Sequence, residues 1–170
     1  MEKIHSKNYI VCLTLFIFLS TILCGCGTAS KVIKPLPLSR TGSYVMGTCN
    51  IEDQRATEKT CSELKEKVEY DLFKKGLYKK SSDENLSDVN LTITYFRNLS
   101  AFNRGMWGIM AGKEGLNVKV DVIDKQTGNV IGQTTVSSYN VSGANSTDKS
   151  MINGVSREIV NFLSGVESKK

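Results

Sequence analysis

The chain has 170 residues, enough for one domain with a substantial core and too few for two. It carries 22 basic and 17 acidic residues, a net charge of +5. The charges are interspersed, with no basic run longer than a pair, so no nucleic acid is expected as a partner.

Residues 1–25 read as an export signal and are set apart from the fold. Lys3 and Lys7 make a basic head, and Tyr9 to Cys24 are uncharged and mostly apolar. That stretch is short for a spanning helix and suits a signal core. It ends in Leu23-Cys24-Gly25-Cys26. Leu at −3, Gly at −1 and Cys at +1 resemble the lipobox of bacterial lipoproteins. The resemblance implies that the Cys26 thiol is alkylated by diacylglycerol and that a signal peptidase cuts before it. The alternative is an uncleaved anchor with a coincidental cysteine. Loss of Glu2, Lys3 and Lys7 leaves a mature charge of about +4.

Residues 26–42 read as a lipidated tether, extended at Pro35 and Pro37, with no regular element required. The domain proper is expected over 43–165, with a tail at 166–170. Ser43 to Asn50 predicts a first strand. Glu52-Asp53 offers a capping acid for a helix from about Gln54 to Lys75. Its stripe is Thr57, Cys61, Leu64, Val68, Leu72 and Phe73, and Gly76 stops it. Cys12 and Cys24 leave with the signal and Cys26 takes lipid, so Cys49 and Cys61 are the mature pair. In an oxidising compartment they read as one disulfide, reachable if the helix climbs back beside the strand. The alternative is two buried thiols acting as small hydrophobes. Two cysteines alone lack the ligands for a metal.

Leu77-Tyr78 suggests a short edge piece. Val89, Leu91, Ile93 and Tyr95 alternate with polar residues, as in a strand with one wet face. Asn103–Gly115 is glycine-rich and holds the sole tryptophan. Gly105, Met106, Trp107, Gly108, Ile109 and Met110 are candidate partner-contact residues, against the plainer reading of a strand end folded on the sheet. Leu116 to Val122 alternate again. Asp124 to Gly128 form a turn, and Val130 onward returns as a hairpin. A last helix, capped near Ser146 or Thr147, buries Met151, Val155, Ile159, Phe162 and Leu163 and ends at Gly165.

This order predicts an α+β fold: a largely antiparallel or mixed sheet of about four strands with two helices on one face. Leu91–Phe96, the Arg104…Ala111-Gly112 link and Val118–Gly132 resemble a family of small bacterial lipoproteins known as a domain of unknown function. The resemblance implies a fold similar to the amino-terminal domain of the Tol-Pal propeller protein and to lipoprotein activators of cell-wall synthases. It supplies no catalytic residues.

His5 is the only histidine and leaves with the signal, which removes Ser-His-Asp, Cys-His and histidine-ligated zinc chemistry from the mature chain. No catalytic residues, metal or cofactor are expected. The expected function is a non-enzymatic envelope lipoprotein, held to the bilayer through acylated Cys26, that binds or supports another envelope protein. In a host with two membranes, Gly27 after the cysteine points to the outer membrane, facing the periplasm. The alternatives are an enzyme acting on cell-wall glycan through a carboxylate pair, or a surface adhesin or immunity-type lipoprotein. Oligomeric state stays open.

Overall fold

The computed structural model describes residues 27–37, 43–79, 86–98, 113–141 and 148–166. The export signal, Cys26, the cap near Ser146 and the contact residues Gly105–Met110 lie outside them. The described chain runs β1 (Gly27–Lys34), β2 (Tyr44–Ile51), α1 (Glu58–Lys74), β3 (Ser87–Arg97), β4 (Lys113–Asp124), β5 (Val130–Val141) and α2 (Asp148–Leu163). The five strands form one sheet in the order β1-β5-β4-β3-β2. The expected α+β sheet with two helices is present, mixed in direction. Only β2 and β3 pair in parallel.

Parallel neighbours cannot be joined by a tight turn and need a crossover. Helix α1 is that crossover. Thr57 caps it, its side chain accepting from the Thr60 N–H at 3.3 Å, so the helix starts later than Gln54. Asp53 does not cap it; it holds the preceding turn by accepting from the Arg55 N–H at 3.0 Å. Gly76, at φ 68°, ends the helix in the left-handed region that favours glycine. Cys61, Leu64, Val68 and Leu72 are buried as the periodicity requires. Phe73 is not part of that stripe and is 68% exposed. It follows Leu72 by one residue, about 100° around the helix, and so leaves the buried face.

Helix α2 buries Met151, Val155, Ile159, Phe162 and Leu163, joined by Ile152 and Val160. Both helices start at the same end of the sheet, because each follows a strand running that way. They meet through a polar contact: Ser156, fully buried, donates to Asp71 Oδ2 at 2.7 Å, and Lys67 donates to Asp71 Oδ1 at 2.6 Å. Beneath them lie Val89, Leu91, Ile93, Leu116, Val118, Val120, Val122 and Val136. Tyr44, at the start of β2, is fully buried, and its hydroxyl donates to the Leu163 carbonyl at 2.9 Å. The short piece at Leu77-Tyr78 bridges Tyr44 on the outer side of β2.

The stretch after Cys26 departs from a tether. Residues 27–34 form β1, antiparallel to β5, with Gly27 opposite Tyr139. Its first half, Gly27–Ser30, is small and polar because its inner side faces helix α2 closely. A Cβ on Gly154 would collide with the Thr28 hydroxyl, and Thr28 bonds Ser138 across the pair at 3.1 Å. There is no room there for large apolar side chains, so no alternation marks the strand.

Substituting Tyr44→Phe removes a buried hydrogen bond while keeping the ring. We expect a loss of about 1–2 kcal/mol, read as a lower urea midpoint with an unchanged slope.

Candidate functional site

The helices cover one face of the sheet, and among the described residues no element lies on the other. Strand register places rows of polar side chains across that open face: Asn90, Asp121 and Gln133; Thr92, Lys119 and Thr135; Tyr95, Asn117 and Ser137. All are partly exposed. Lys119 and Asp121 form an ion pair at 3.0 Å, and Gln133 donates to Asp121. Asn117 Oδ1 is buried and has no hydrogen-bond partner among the described residues.

Alternation places Tyr95 on the buried side with Val89, Leu91 and Ile93; the structure does not. A register shift between Ile93 and Tyr95 turns it to the open face and sends Phe96 into the core instead. The bulge is held from the end of β2. The Glu52 N–H donates to the Ile93 carbonyl at 3.0 Å, and the Asp53 carboxylate accepts from the Phe96 N–H at 2.8 Å. Asp53 thus receives a backbone donor that the parallel partner no longer reaches.

The same carboxylate grips Arg55 with two bonds, Nε at 2.9 Å and Nη2 at 2.6 Å. The Arg55 guanidinium lies over the Tyr95 ring, 4.8 Å from its centre. The Tyr95 and Tyr139 rings close over Gly115; a Cβ there would sit 2.9 Å from each. Only a glycine lets the rings settle onto the strand, a pairing that compensates a bare backbone. Asp53, Arg55, Tyr95, Gly115 and Tyr139 therefore form one cluster at the end of the open face where Gly27 pairs with Tyr139. The Arg55 guanidinium, with the Arg55 and Phe96 N–H groups adding, holds the Asp53 carboxyl well below the usual carboxylate range.

Cys49 and Cys61 are joined by a disulfide, Cα atoms 6.0 Å apart, tying β2 to the first turns of α1. On the helical side, Glu63, Glu66, Lys67, Tyr70, Lys149, Ile152 and Asn153 line a groove of about 370 Å³ between the helices. Three further aspartates are likewise engaged: Asp71 with Lys67 and Ser156, Asp88 with Lys125, and Asp124 with the N–H groups of its own turn. Among the described residues no three His, Cys, Asp or Glu side chains are grouped to hold a metal, and no helix is long and apolar enough to cross a membrane. The Tyr95–Tyr139 cluster is not apparent from sequence. Its only signals there are Gly115 inside a strand and an acid two residues before an arginine.

Residues 44–144 match the family described as a domain of unknown function, DUF4410. The chain belongs to that family. No curated protein matches it. Among solved structures, it is similar to the PelC dodecamer from Paraburkholderia phytofirmans: TM-score 0.58, 12% identity, 85% of this chain and 100% of that one. A dodecamer of a PelC point variant from the same organism gives 0.57 at 13% identity over the same shares. Lipoprotein GNA1162 from Neisseria meningitidis gives 0.40 at 10% identity, over 71% of this chain and 94% of that one. The PelC likeness establishes a shared fold.

Two predictions test these local arrangements. Reducing the Cys49–Cys61 bond should cost about 3 kcal/mol by loop-closure entropy, seen as a lower melting temperature in dithiothreitol, and the Cys49→Ala, Cys61→Ala double variant should be insensitive to it. Because its folded value is depressed, Asp53 stabilises the fold fully above the unfolded carboxylate value of about 3.9, and this is lost as pH falls toward the folded value. The stability gap between wild type and Asp53→Asn should therefore be widest near neutrality and shrink below about pH 4, measured by urea titration at each pH.

Proposed function

We propose that the chain is a bacterial envelope lipoprotein, anchored through acylated Cys26, whose domain serves as a non-catalytic docking module for another envelope protein. The anchor is supported by the Leu23–Cys26 motif and the uncharged stretch from Tyr9 that precedes it. The observation that carries the docking role is the sheet face that no described element covers. It presents polar rows, with two tyrosines at one end. It also keeps the Asn117 acceptor buried and unpaired, a cost of about 1–3 kcal/mol that an apolar side chain would avoid. Stability forgone at a surface is the usual mark of a surface kept for use.

The partner includes further copies of this chain in a second reading, which the PelC dodecamers support as proteins of similar fold. Strand β1 offers the contact. It is an edge strand, and Val32 and Ile33 are half exposed between Lys31 and Lys34. Such an edge can accept another strand.

A photo-crosslinking residue at Lys119 in intact cells should capture one defined envelope protein or a second copy of the chain. Adducts from neither Lys119 nor Trp107 would remove the docking role. The native mass of the detergent-extracted lipoprotein separates the two readings, a multiple of the chain mass favouring self-assembly.

A further inference from the structure

We propose that the sheet end carrying Gly27, Tyr139, Tyr95 and Arg55 lies directly against the phospholipid surface, with no spacer between lipid and fold. This rests on acylation of Cys26 and deepens that reading. Gly27 is the residue after Cys26, and it is already paired with Tyr139 in the sheet. Adjacent Cα atoms are about 3.8 Å apart, so the acylated residue stands one step from a hydrogen-bonded strand. The extended proline segment that would make a tether lies on the other side of β1, between β1 and β2. It therefore adds no length between Cys26 and β1, and its Leu36 is packed against the core.

The chemistry of that end suits a headgroup layer. Tyr139 is 39% exposed, and its ring pairs with Tyr95 over Gly115. Tyrosines sit well at the boundary between hydrocarbon and water, where the ring is apolar and the hydroxyl wet. Arg55 over Tyr95 is neutralised by its ion pair with Asp53, and its guanidinium is left as a hydrogen-bonding group at this end. Lys113, exposed at the start of β4, is a cation at the same end that acidic lipid headgroups attract. The opposite end of the sheet, at the Asp124–Asn129 turn, is nine residues of β5 away from Tyr139, about 30 Å at the strand rise. The sheet therefore stands on the membrane by one end, its strands rising from the surface, and its open face is presented sideways to partners in the same membrane.

The test uses full-length lipoprotein, matured in cells, in vesicles of phosphatidylethanolamine and phosphatidylglycerol containing a lipid spin-labelled on its headgroup. A Trp107→Phe background removes the native tryptophan, and one reporter is placed by Tyr139→Trp, Lys113→Trp or Asn129→Trp. We expect the spin label to quench the first two reporters strongly and to leave the Asn129→Trp reporter bright. Lys113→Trp serves where Tyr139→Trp disturbs the Gly115 packing. Inserting about twelve Gly and Ser residues between Cys26 and Gly27, a reach of about 20 Å, should relieve the quenching while the acyl mass is kept. Intact mass of each protein reads the anchor separately. A protein without acyl chains overturns the anchored reading and this inference with it. Acylated protein whose Tyr139→Trp, Lys113→Trp and Asn129→Trp reporters are equally quenched or equally bright overturns this inference alone.

Discussion

The parallel pairing of β2 with β3 is the constraint from which the rest follows. Two parallel neighbours need a chain that leaves one end of the sheet and returns to the other, and α1 is that chain. Its apolar stripe must be buried, so it lies on the sheet and fixes which face becomes the core. Helix α2 then fills the remaining half of that face, and no described element covers the other. The disulfide from Cys49 to Cys61 fastens the start of the crossover to the strand it leaves. The outer side of β2 is screened by Leu77–Lys79 and by Lys65, which donates to the Gly47 carbonyl at 2.8 Å. Edge β1 has no such cover on its outer side among the described elements. The two edges of this sheet are thus unlike, one screened and one open.

Much of this is legible in the sequence because burial imposes a period. Val118, Val120 and Val122 alternate since one face is core and the other wet, and the hairpin to Val130 is set by Gly128 at φ 69°. The stripe of α2 is equally plain. What escapes is everything decided by contacts distant in sequence. Strand β1 shows no hydrophobic alternation because at Thr28 its inner side fits a hydroxyl against Gly154 and Ser138, while Val32 and Ile33 are half exposed. Tyr95 reads as a buried residue because the period is correct up to Ile93. The bulge that turns it outward is held by Asp53, over forty residues earlier. Asp53 itself resembles a helix cap, since an acid before a helix usually is one. Its actual donors, Arg55 and the Phe96 N–H, come together only once β2 and β3 are side by side.

These hidden features are not independent of one another. The bulge puts Tyr95 on the open face, Gly115 lets Tyr95 and Tyr139 meet, and Tyr139 pairs with the residue that follows Cys26. A chain of local deviations from regular strand thus runs across the sheet at one end and stops at the proposed anchor. Each deviation has a cost: a bulge breaks the ladder, and a strand glycine forgoes packing. The opposite end of the sheet closes with an ordinary turn, in which Asp124 accepts from the Gln126 N–H at 2.8 Å. Register shifts interrupt the other strand pairs too, between Val32 and Lys34, Met46 and Cys49, and Val122 and Ile123, so what sets the Gly27–Tyr139 end apart is the closing of Tyr95 and Tyr139 over Gly115 rather than irregularity itself. In the proposed orientation, with Cys26 acylated one residue before β1, that aromatic end is the part of the sheet that meets the membrane.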